Sequence, residues 1–428
     1  MKKMLTLAFV LAMILFLSVP QTTMAANDTL VVYAKGATLD KVIKSDTTAA
    51  GLQVHKVYKL VTTDTTYLFS GPITVKSDFA VIGKTALNGR PPCIQPDVLS
   101  DNSIPVNLFI MTGTKTKGVF KNLYLLGLAY NGSVNEGGVA LQVQADSIRI
   151  TIDNVIFEEW RTFAIGYNGN WDSFFITNCK FRNMVSGAAQ WYLGEAIRNT
   201  YPGTAYTDSV VMKYNTFFCV NAYAAGTVTK YYQRYMDFSH NNVIWSFKNP
   251  FFLFNITDAK INDNIFYGAW AGGISKTEYP WWDQLWSPEV GSIIDLDALD
   301  SAKAVLYAPG STPDANKIYT KAEQKRKIEV KNNVNYWPAA LTNYWKAWND
   351  TAHVDSIYTP TWMNTRTKKM FADKTTWPGL TESGNITTTD PVFGASINGV
   401  MKDKKGNNVG LLKYFELIRK GTITTELW

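Results

Sequence analysis

Apolar and polar residues alternate along much of this chain, and short polar turns interrupt the alternation at intervals. In the run Ser147-Ile-Arg-Ile-Thr-Ile152 an apolar residue stands at every second position. This is the period of a β-strand that buries one face, and it differs from the period of an amphipathic helix. The pattern therefore predicts short β-strands joined by turns.

A six-residue frame recurs seven times: apolar, any, polar turn residue, short residue, any, apolar. Successive copies start 23 to 36 residues apart, except the last, which follows after 69. A period in the low twenties with strand-like alternation is typical of one coil of a parallel β-helix. The frame predicts an all-β, right-handed parallel β-helix, a solenoid with coils of about 22–26 residues. The copies start at Phe120, Ile152, Ile176, Met212, Phe238, Ile261 and, less regularly, Val330.

The third residue of the frame is most often Asn, as in Asn122, Asn154 and Asn178. Asn tolerates a left-handed backbone bend, and its amide can hydrogen-bond to the same position in the neighbouring coils. We expect a left-handed turn with stacked side chains at this position. His240 takes the same place, so a structural role is expected for it.

The ends of the chain predict export and capping. Lys2-Lys3, an apolar run and small residues up to Ala25 and Ala26 form the pattern of a secretory signal peptide, cleaved near Ala25 or Ala26. The mature chain is expected to be secreted, in the periplasm or at the cell surface, without a transmembrane segment. Predicted segments are the signal peptide (1–26), an N-terminal cap with first coils (27–118), coils (119–340) with insertions at 186–208 and 270–327, and a C-terminal capping segment (341–428).

Composition narrows the class of partner. The formal charge is +7 and 14% of residues are aromatic, including 14 Trp. A basic surface favours anionic partners such as uronate polymers, whereas the scattered basic residues argue against a nucleic-acid-binding arm. Cys93, Cys179 and Cys219 allow at most one internal disulfide. The fold must therefore depend on its core.

On these repeats the chain resembles the pectate-lyase-like β-helix superfamily. The segments Ile73-Thr-Val-Lys76, Val81-Ile-Gly83 and Pro91-Pro-Cys-Ile94 are similar to those of uncharacterised secreted β-helix proteins of the Bacteroidota type. The resemblance covers residues 60 to 340 and implies a scaffold that handles polysaccharide. The superfamily includes lyases, hydrolases, epimerases, adhesins and tailspikes, so the resemblance does not specify a reaction.

Elimination from a uronate polymer needs a base and a cationic group, or calcium, beside the carboxylate. Glu158 and Arg182 each follow a frame start by six residues, so we expect them to stack on adjacent coils, with Arg161 and Lys180 nearby. A simple ion pair is the alternative interpretation.

Gly194-Glu195-Ala-Ile-Arg198 is similar to the Gly-Glu-x-Ile-Arg stretch of the alginate lyase and chondroitinase B family. The resemblance implies that Arg198 and Glu195 orient an anionic sugar or a calcium ion. That family's later Lys-bearing and Arg-His-Gly stretches have no counterpart in matching places. The predicted catalytic residues are Arg198, Glu195, Arg182 and Lys180.

Aromatic rings offer sugars a large apolar contact area. Trp281, Trp282 and Trp286 in the second insertion are therefore predicted to bind substrate, together with Glu158 and Arg161, although the Trp residues could equally form the core of that insertion. Asp295, Asp297 and Asp300 could ligate calcium but lack the EF-hand pattern, and a solvated helix face is the alternative. No other cofactor is predicted, and the metal stays open.

The leading hypothesis is a secreted β-helix protein that binds an acidic polysaccharide and could cleave it as a lyase, in a groove between Glu158 and Lys213 walled by the two insertions. The alternative is a non-catalytic adhesin-like or cell-envelope protein that binds glycans or partner proteins. Whether the chain is an enzyme, and its oligomeric state, are left open by the sequence.

Overall fold

The computed structural model describes residues 28–86, 89–184, 194–200, 206–220, 231–246, 251–269, 291–339, 341–343 and 360–391. Within these ranges nearly every strand pairs in parallel with strands of the preceding and following coils. The predicted all-β parallel β-helix is confirmed.

The strands are, in chain order, Thr29–Val32 (β1), Val57–Leu60 (β2), Thr66–Phe69 (β3), Ile73–Val75 (β4), Phe79–Gly83 (β5), Cys93–Pro96 (β6), Asn107–Met111 (β7), Lys117–Leu126 (β8), Val139–Val143 (β9), Arg149–Glu158 (β10), Phe163–Tyr167 (β11), Asp172–Thr177 (β12), Lys180–Met184 (β13), Glu195–Asn199 (β14), Tyr206–Lys213 (β15), Thr216–Val220 (β16), Tyr232–Ser239 (β17), Asn242–Ser246 (β18), Phe251–Leu253 (β19), Ile256–Asn262 (β20), Ile265–Tyr267 (β21), Ser292–Leu296 (β22), Lys327–Lys331 (β23), Val334–Tyr336 (β24), Thr361–Met363 (β25) and Leu380–Ser383 (β26). The helices are Leu39–Ser45 (α1), Ser301–Tyr307 (α2), Thr320–Glu323 (α3) and Thr365–Ala372 (α4).

The strands form three faces around one core. The front face stacks β1, β2, β5, β8, β10, β12, β15, β17, β20, β23 and β26. The side face stacks β3, β6, the second halves of β8 and β10, then β13, β16, β18, β21 and β24. The back face consists of β4, β7, β9, β11 and β14, and further along of β19, β22 and β25.

A single left-handed residue turns the chain from the front face to the side face. The third residue of all seven sequence frames has a positive φ, between 53° and 58°. Asn154 donates its side-chain amide to Asn122 over 3.0 Å, so neighbouring turns also stack. The predicted left-handed turn is confirmed, including at His240, whose ring stacks on Tyr214 at 5.0 Å. These residues are Asn122, Asn154, Asn178, Tyr214, His240, Asp263 and Asn332.

The fourth residue of the frame points into the interior, and its chemistry changes along the β-helix. In the first three frames it is Leu123, Val155 or Cys179. From the fourth frame on it is a buried Asn, and these Asn side chains form a hydrogen-bonded ladder. Each Nδ2 donates to the Oδ1 of the next rung over 2.9 to 3.2 Å. The rungs are Asn215, Asn241, Asn264, Asn333 and Asn385.

Each rung also satisfies backbone groups. The backbone N–H of Asn241 donates to Asn264 Oδ1 over 2.9 Å, and Asn264 Nδ2 donates to the carbonyl of Phe238 over 2.8 Å. These turn groups would otherwise be buried without partners, since Asn264 is only 1% exposed. The ladder therefore supplies hydrogen-bond partners for the buried backbone N–H and C=O groups of the turn.

Both ends of the described β-helix carry capping elements. Helix α1 buries Leu39 and Ile43 in the core at the first coils, and Asp40 accepts a hydrogen bond from the backbone of Ser70 over 2.9 Å. At the other end β26 pairs with β23, and helix α4 contributes Met370 and Phe371 to the same core. Coils therefore continue past residue 340, where the sequence placed the start of the capping segment.

The second insertion is described from residue 291. Asp295 lies in strand β22 rather than in a helix, and the helix begins at Ser301 with Asp300 as its N-cap. All three cysteines are buried, and no disulfide joins any two of them. Burial raises the pKa of Cys93 and of Cys179 to about 12. Among the described helices, none has the length and apolar character needed to cross a membrane.

Candidate functional site

The four predicted catalytic residues lie on two different faces. Lys180 and Arg182 belong to β13 of the side face, whereas Glu195 and Arg198 belong to β14 of the back face. The structure therefore presents them as two separate groups.

Glu158 and Arg182 do stack on adjacent coils, as predicted. Arg182 Nη2 lies 2.6 Å from Glu158 Oε2, and their side chains are only 13% and 7% exposed. Tyr124 donates its hydroxyl to the same carboxylate, and Asn183 donates to the other oxygen over 2.9 Å. Burial lowers the pKa of Arg182, but Glu158 outweighs it, so the net shift is upward. This is a nearly buried ion pair whose charges neutralise each other.

The other predicted arginines are paired in the same way. Arg198 Nη1 lies 2.9 Å from Glu195 Oε1, with side-chain exposures of 15% and 10%. Arg161 Nη2 lies 2.6 Å from Glu159 Oε2, and both side chains are buried. Lys180 is exposed. An anionic sugar would have to compete with a carboxylate for each of these arginines, and their catalytic or substrate-binding roles stay predictions.

Trp281, Trp282 and Trp286 lie outside the described residues. The acidic run that could have held calcium has protein partners: Arg366 bonds Asp295 over 2.7 Å and Asp297 over 2.6 Å. Asp300 caps helix α2. In the described ranges no group of three His, Cys, Asp or Glu side chains is arranged to hold a metal ion.

A groove lies instead on the outside of the front face, where β17, β20, β23 and β26 stack. It has a volume of about 410 Å³. Alternation places Ala259 and Ile328 toward the core and their neighbours toward solvent. We call this the charged groove; its charged or hydroxyl-bearing lining residues are Arg234, Tyr235, Asp258, Lys260, Lys327, Glu329 and Thr381.

The parallel register brings these residues together in two rows. One row stacks Tyr235, Asp258 and Lys327, and the next stacks Asp237, Lys260 and Glu329. Acid and base thus alternate from coil to coil, about 4.8 Å apart. The rows come from residues that are far apart in sequence, and only coil stacking makes them neighbours.

Some charged side chains in or beside the charged groove form close ion pairs, and others do not. Lys213 Nζ lies 2.7 Å from Asp237, which also accepts from Tyr235 over 3.3 Å. Arg234 pairs with Asp208 over 2.7 Å. Lys260 and Lys327 form no ion pair with any residue that the structure describes. Two ammonium groups therefore lie in the groove outside any close ion pair, with Asp258 and Glu329 as their neighbours on the adjacent coil.

The electrostatic surroundings of three groove residues shift their pKa values. Partial burial raises the pKa of its carboxyl, and the cations Lys327 and Arg234 only partly offset this. Burial and the neighbouring Asp237 raise the pKa of Tyr235 to about 12. The hydrogen bond to Asp208 raises the pKa of Arg234. The Asp258 carboxyl therefore keeps its proton to a higher pH than an ordinary aspartate does.

Stacked aromatic rings border the front face on both edges. Trp171 and Tyr206 stack at 5.3 Å with an interplanar angle of 12° at the edge where the strands begin. Tyr214 and His240 stack at the turn to the side face. Trp171 is 41% exposed and Tyr214 60%. The front face therefore offers solvent both charges and flat apolar rings.

The outside of the side face is closed in the corresponding coils. Phe218, Ile244 and Tyr267 point outward on consecutive strands, yet each is at most 5% exposed. On the front face, by contrast, the Arg234 side chain is 50% exposed. In these coils the front face therefore exposes polar side chains that the side face does not. The groove predicted between Glu158 and Lys213 does not coincide with the front face, because these two residues lie on different faces.

Sequence reasoning missed the charged groove because it followed the residues after the frame. The residue just before the frame start is Asp237, Lys260 or Glu329 in successive copies, and the residue three before it is Tyr235, Asp258 or Lys327. Aligning the copies three residues further toward the N-terminus would have shown both rows.

Comparison with known proteins supplies little more. No family model matches this chain, and no curated protein matches it. Among solved structures it is similar to the crystal structure of Dettilon tailspike protein (gp208), with 9% identity and a TM-score of 0.29 over 84% of this chain and 68% of that one.

Proposed function

We propose that the charged groove binds an acidic polysaccharide whose chain runs along the stacked coils. The observation that carries this proposal is the pair Lys260 and Lys327, which face the groove without an ion-pair partner among the described residues. Each additional coil offers a linear polymer another row of contacts at the same spacing. We further propose that the mature chain acts outside the cytoplasm, after removal of residues 1–26.

The mixed charge of the groove favours a polymer that carries both carboxylates and hydroxyls. Lysines bind the acidic groups, while Asp258 and Glu329 accept hydrogen bonds from sugar hydroxyls. A purely cationic groove would suit phosphate polymers as well. The alternation of acid and base is the feature that favours an acidic glycan.

The test is a binding panel of alginate, polygalacturonate, chondroitin and neutral glycans, with the mature chain in low salt. We expect an acidic polymer to bind, and Lys260→Ala/Lys327→Ala to weaken it about tenfold. The matched control is Lys59→Ala/Lys117→Ala, which removes the same charge from exposed positions of the front face in the first coils. Equal loss in both double variants, or binding of neutral glycans alone, would contradict the proposal.

A second candidate function is cleavage of the bound glycan by hydrolysis. Asp258 is a diagonal neighbour of Asp237, because Tyr235 pairs with Asp258 and Asp237 with Lys260. Such neighbours lie about 8 Å apart at their Cα atoms, and inverting hydrolysis needs carboxyls about 6.5–9.5 Å apart. Asp258, whose pKa is raised by partial burial, would donate a proton to the leaving oxygen, and Asp237, which pairs with Lys213, would activate water.

Product analysis separates the alternatives. Elimination gives an unsaturated product that absorbs near 235 nm, whereas hydrolysis gives new reducing ends without that absorbance. Loss of cleavage in Asp258→Asn with binding retained would support hydrolysis. Absorbance that disappears in Arg198→Ala or Arg182→Ala would support the predicted lyase instead. Binding without either product would support the adhesin-like alternative.

A further inference from the structure

The charged groove adjoins an aromatic patch made of Trp171, Tyr206 and Tyr232. Tyr206 is the first residue of β15 and Tyr232 the first residue of β17, and their rings lie 6.0 Å apart. Trp171 precedes β12 and lies 5.3 Å from Tyr206 and 6.3 Å from Tyr232. Arg234 of the groove follows Tyr232 by two residues on the same strand. The two surfaces are therefore continuous.

The backbone holds the Trp171 ring at the surface. Trp171 has a φ of 62°, a left-handed conformation that L-residues other than Asn and Asp rarely adopt. Its backbone N–H donates to the carbonyl of Tyr206 in the next coil. Tyr232 is 3% exposed and supports the rings from the side. The exposed rings are thus fixed in position before any ligand arrives, so ordering them costs little on binding.

We infer that Trp171 and Tyr206 form an aromatic subsite that stacks on sugar rings of the same glycan chain that fills the charged groove. The inference rests on the proposed function and extends the binding surface from β17 back to β12. Sugar rings present apolar C–H faces that pack on aromatic rings. From β12 to β26 the surface spans five coil steps of about 4.8 Å, or about 24 Å. A short oligomer fills the groove alone, and a long one reaches the rings.

The experiment compares a trimer and an octamer of each acidic polymer, galacturonate, alginate and chondroitin, by calorimetric titration. In the wild-type chain the octamer is expected to bind more tightly than the trimer. Trp171→Ala should weaken octamer binding about tenfold and leave the trimer unchanged. Trp171→Tyr, which keeps a ring, should recover most of the loss. Tyr130→Ala, at a residue 67% exposed away from the strands, is the matched control.

Each outcome decides a separate point. If no oligomer binds the wild-type chain, the proposed function fails and the subsite with it. If the octamer binds equally well to Trp171→Ala, the subsite is excluded and the groove stands. If Trp171→Ala weakens trimer and octamer alike, or lowers the thermal unfolding temperature, Trp171 supports the fold rather than the ligand, and the inference is again overturned.

Discussion

The residues that follow the left-handed turn form one interior column with two chemically different regions. The first three coils place apolar residues or Cys there, and the later coils place the five Asn residues of the ladder. Leu123 and Val155 fill the fourth frame position with apolar side chains, whereas Asn215 and the rungs after it fill it with stacked amides. In both regions the preceding residue is left-handed, with nearly the same φ. The backbone geometry is therefore independent of how its interior polar groups find partners.

The junction shows how the two solutions meet. The backbone N–H of Cys179 donates to Asn215 Oδ1 over 2.9 Å, as a ladder rung would. Its sulfur lies by the carbonyl of Ile152 at 3.9 Å and by the backbone of Val155. Cys179 thus donates a hydrogen bond to the Asn ladder on one side, and on the other side it packs as an apolar residue like Val155. A buried polar group is tolerated in this core when the next coil supplies its partner.

The largest effect on stability is expected for Asn264→Leu, which puts into the Asn ladder an apolar side chain like those of Leu123 and Val155. The backbone N–H of Asn241 and the carbonyl of Phe238 would lose their partners while buried. We expect the free energy of unfolding to fall by about 4 kcal/mol, as two orphaned groups require. Urea unfolding measures it. Asn242→Leu, at a partly exposed position, is the control, and a neutral Asn264→Leu would show that the two solutions are interchangeable.

The next largest effect on stability is expected at Asp172, a buried acid with one carboxylate oxygen unpaired in the described part of the chain. Asp172 is fully buried, its Oδ1 accepts from the backbone of Ile148, and its Oδ2 has no partner among the described residues. Burial raises the pKa of Asp172 to about 7. The folded chain therefore holds this proton while the unfolded chain releases it at lower pH, so stability falls as pH rises from about 4 to about 7.

Asp172→Asn should remove this pH dependence. Above about pH 7 we expect the variant to be more stable than wild type by at most about 4 kcal/mol, and near pH 4 the two should agree, since the amide resembles the protonated acid. Urea unfolding at several pH values measures the difference. Parallel pH profiles for the two chains would show that Asp172 is ionised in the fold.

The smallest effect is expected for Cys179→Asn, which lengthens the ladder by one rung. The acceptors for the new amide are already in place. Asn215 Oδ1 faces residue 179, and the carbonyl of Ile152 lies beside residue 179 as the carbonyl of Ile176 lies beside Asn215. We expect the free energy of unfolding to change by less than about 1 kcal/mol. A loss as large as that of Asn264→Leu would mean that the apolar coils cannot accommodate an amide.

The frame predicted the fold well because its signal is local. The bend at Asn122 and Asn154 depends on one residue's backbone preference, and coil stacking follows from the repeat. The interior ladder was not predicted: the sequence indicated hydrogen bonds between the bending residues, such as that from Asn332 to Asp263, but not the second, buried column that contains Asn333.

The site was harder to predict because it depends on lateral register. Lys260 and Glu329 stand 69 residues apart and meet only because the long connection between them leaves the coils in phase. Glu195 and Arg198 attracted attention as a short motif, yet they form a local ion pair. A motif identifies residues that are close in sequence, whereas this groove is assembled from residues contributed by successive coils.

The invariant turn between front and side faces also determines where the molecule can accept new material. In the seven frames at most two residues connect the faces, and their side chains hydrogen-bond or stack with the coils on either side, so an inserted loop would break every rung that it touched. Two long connections, from Met184 to Glu195 and from Tyr267 to Ser292, run instead from the side face to the back face. Grafted peptides or tags belong at that corner.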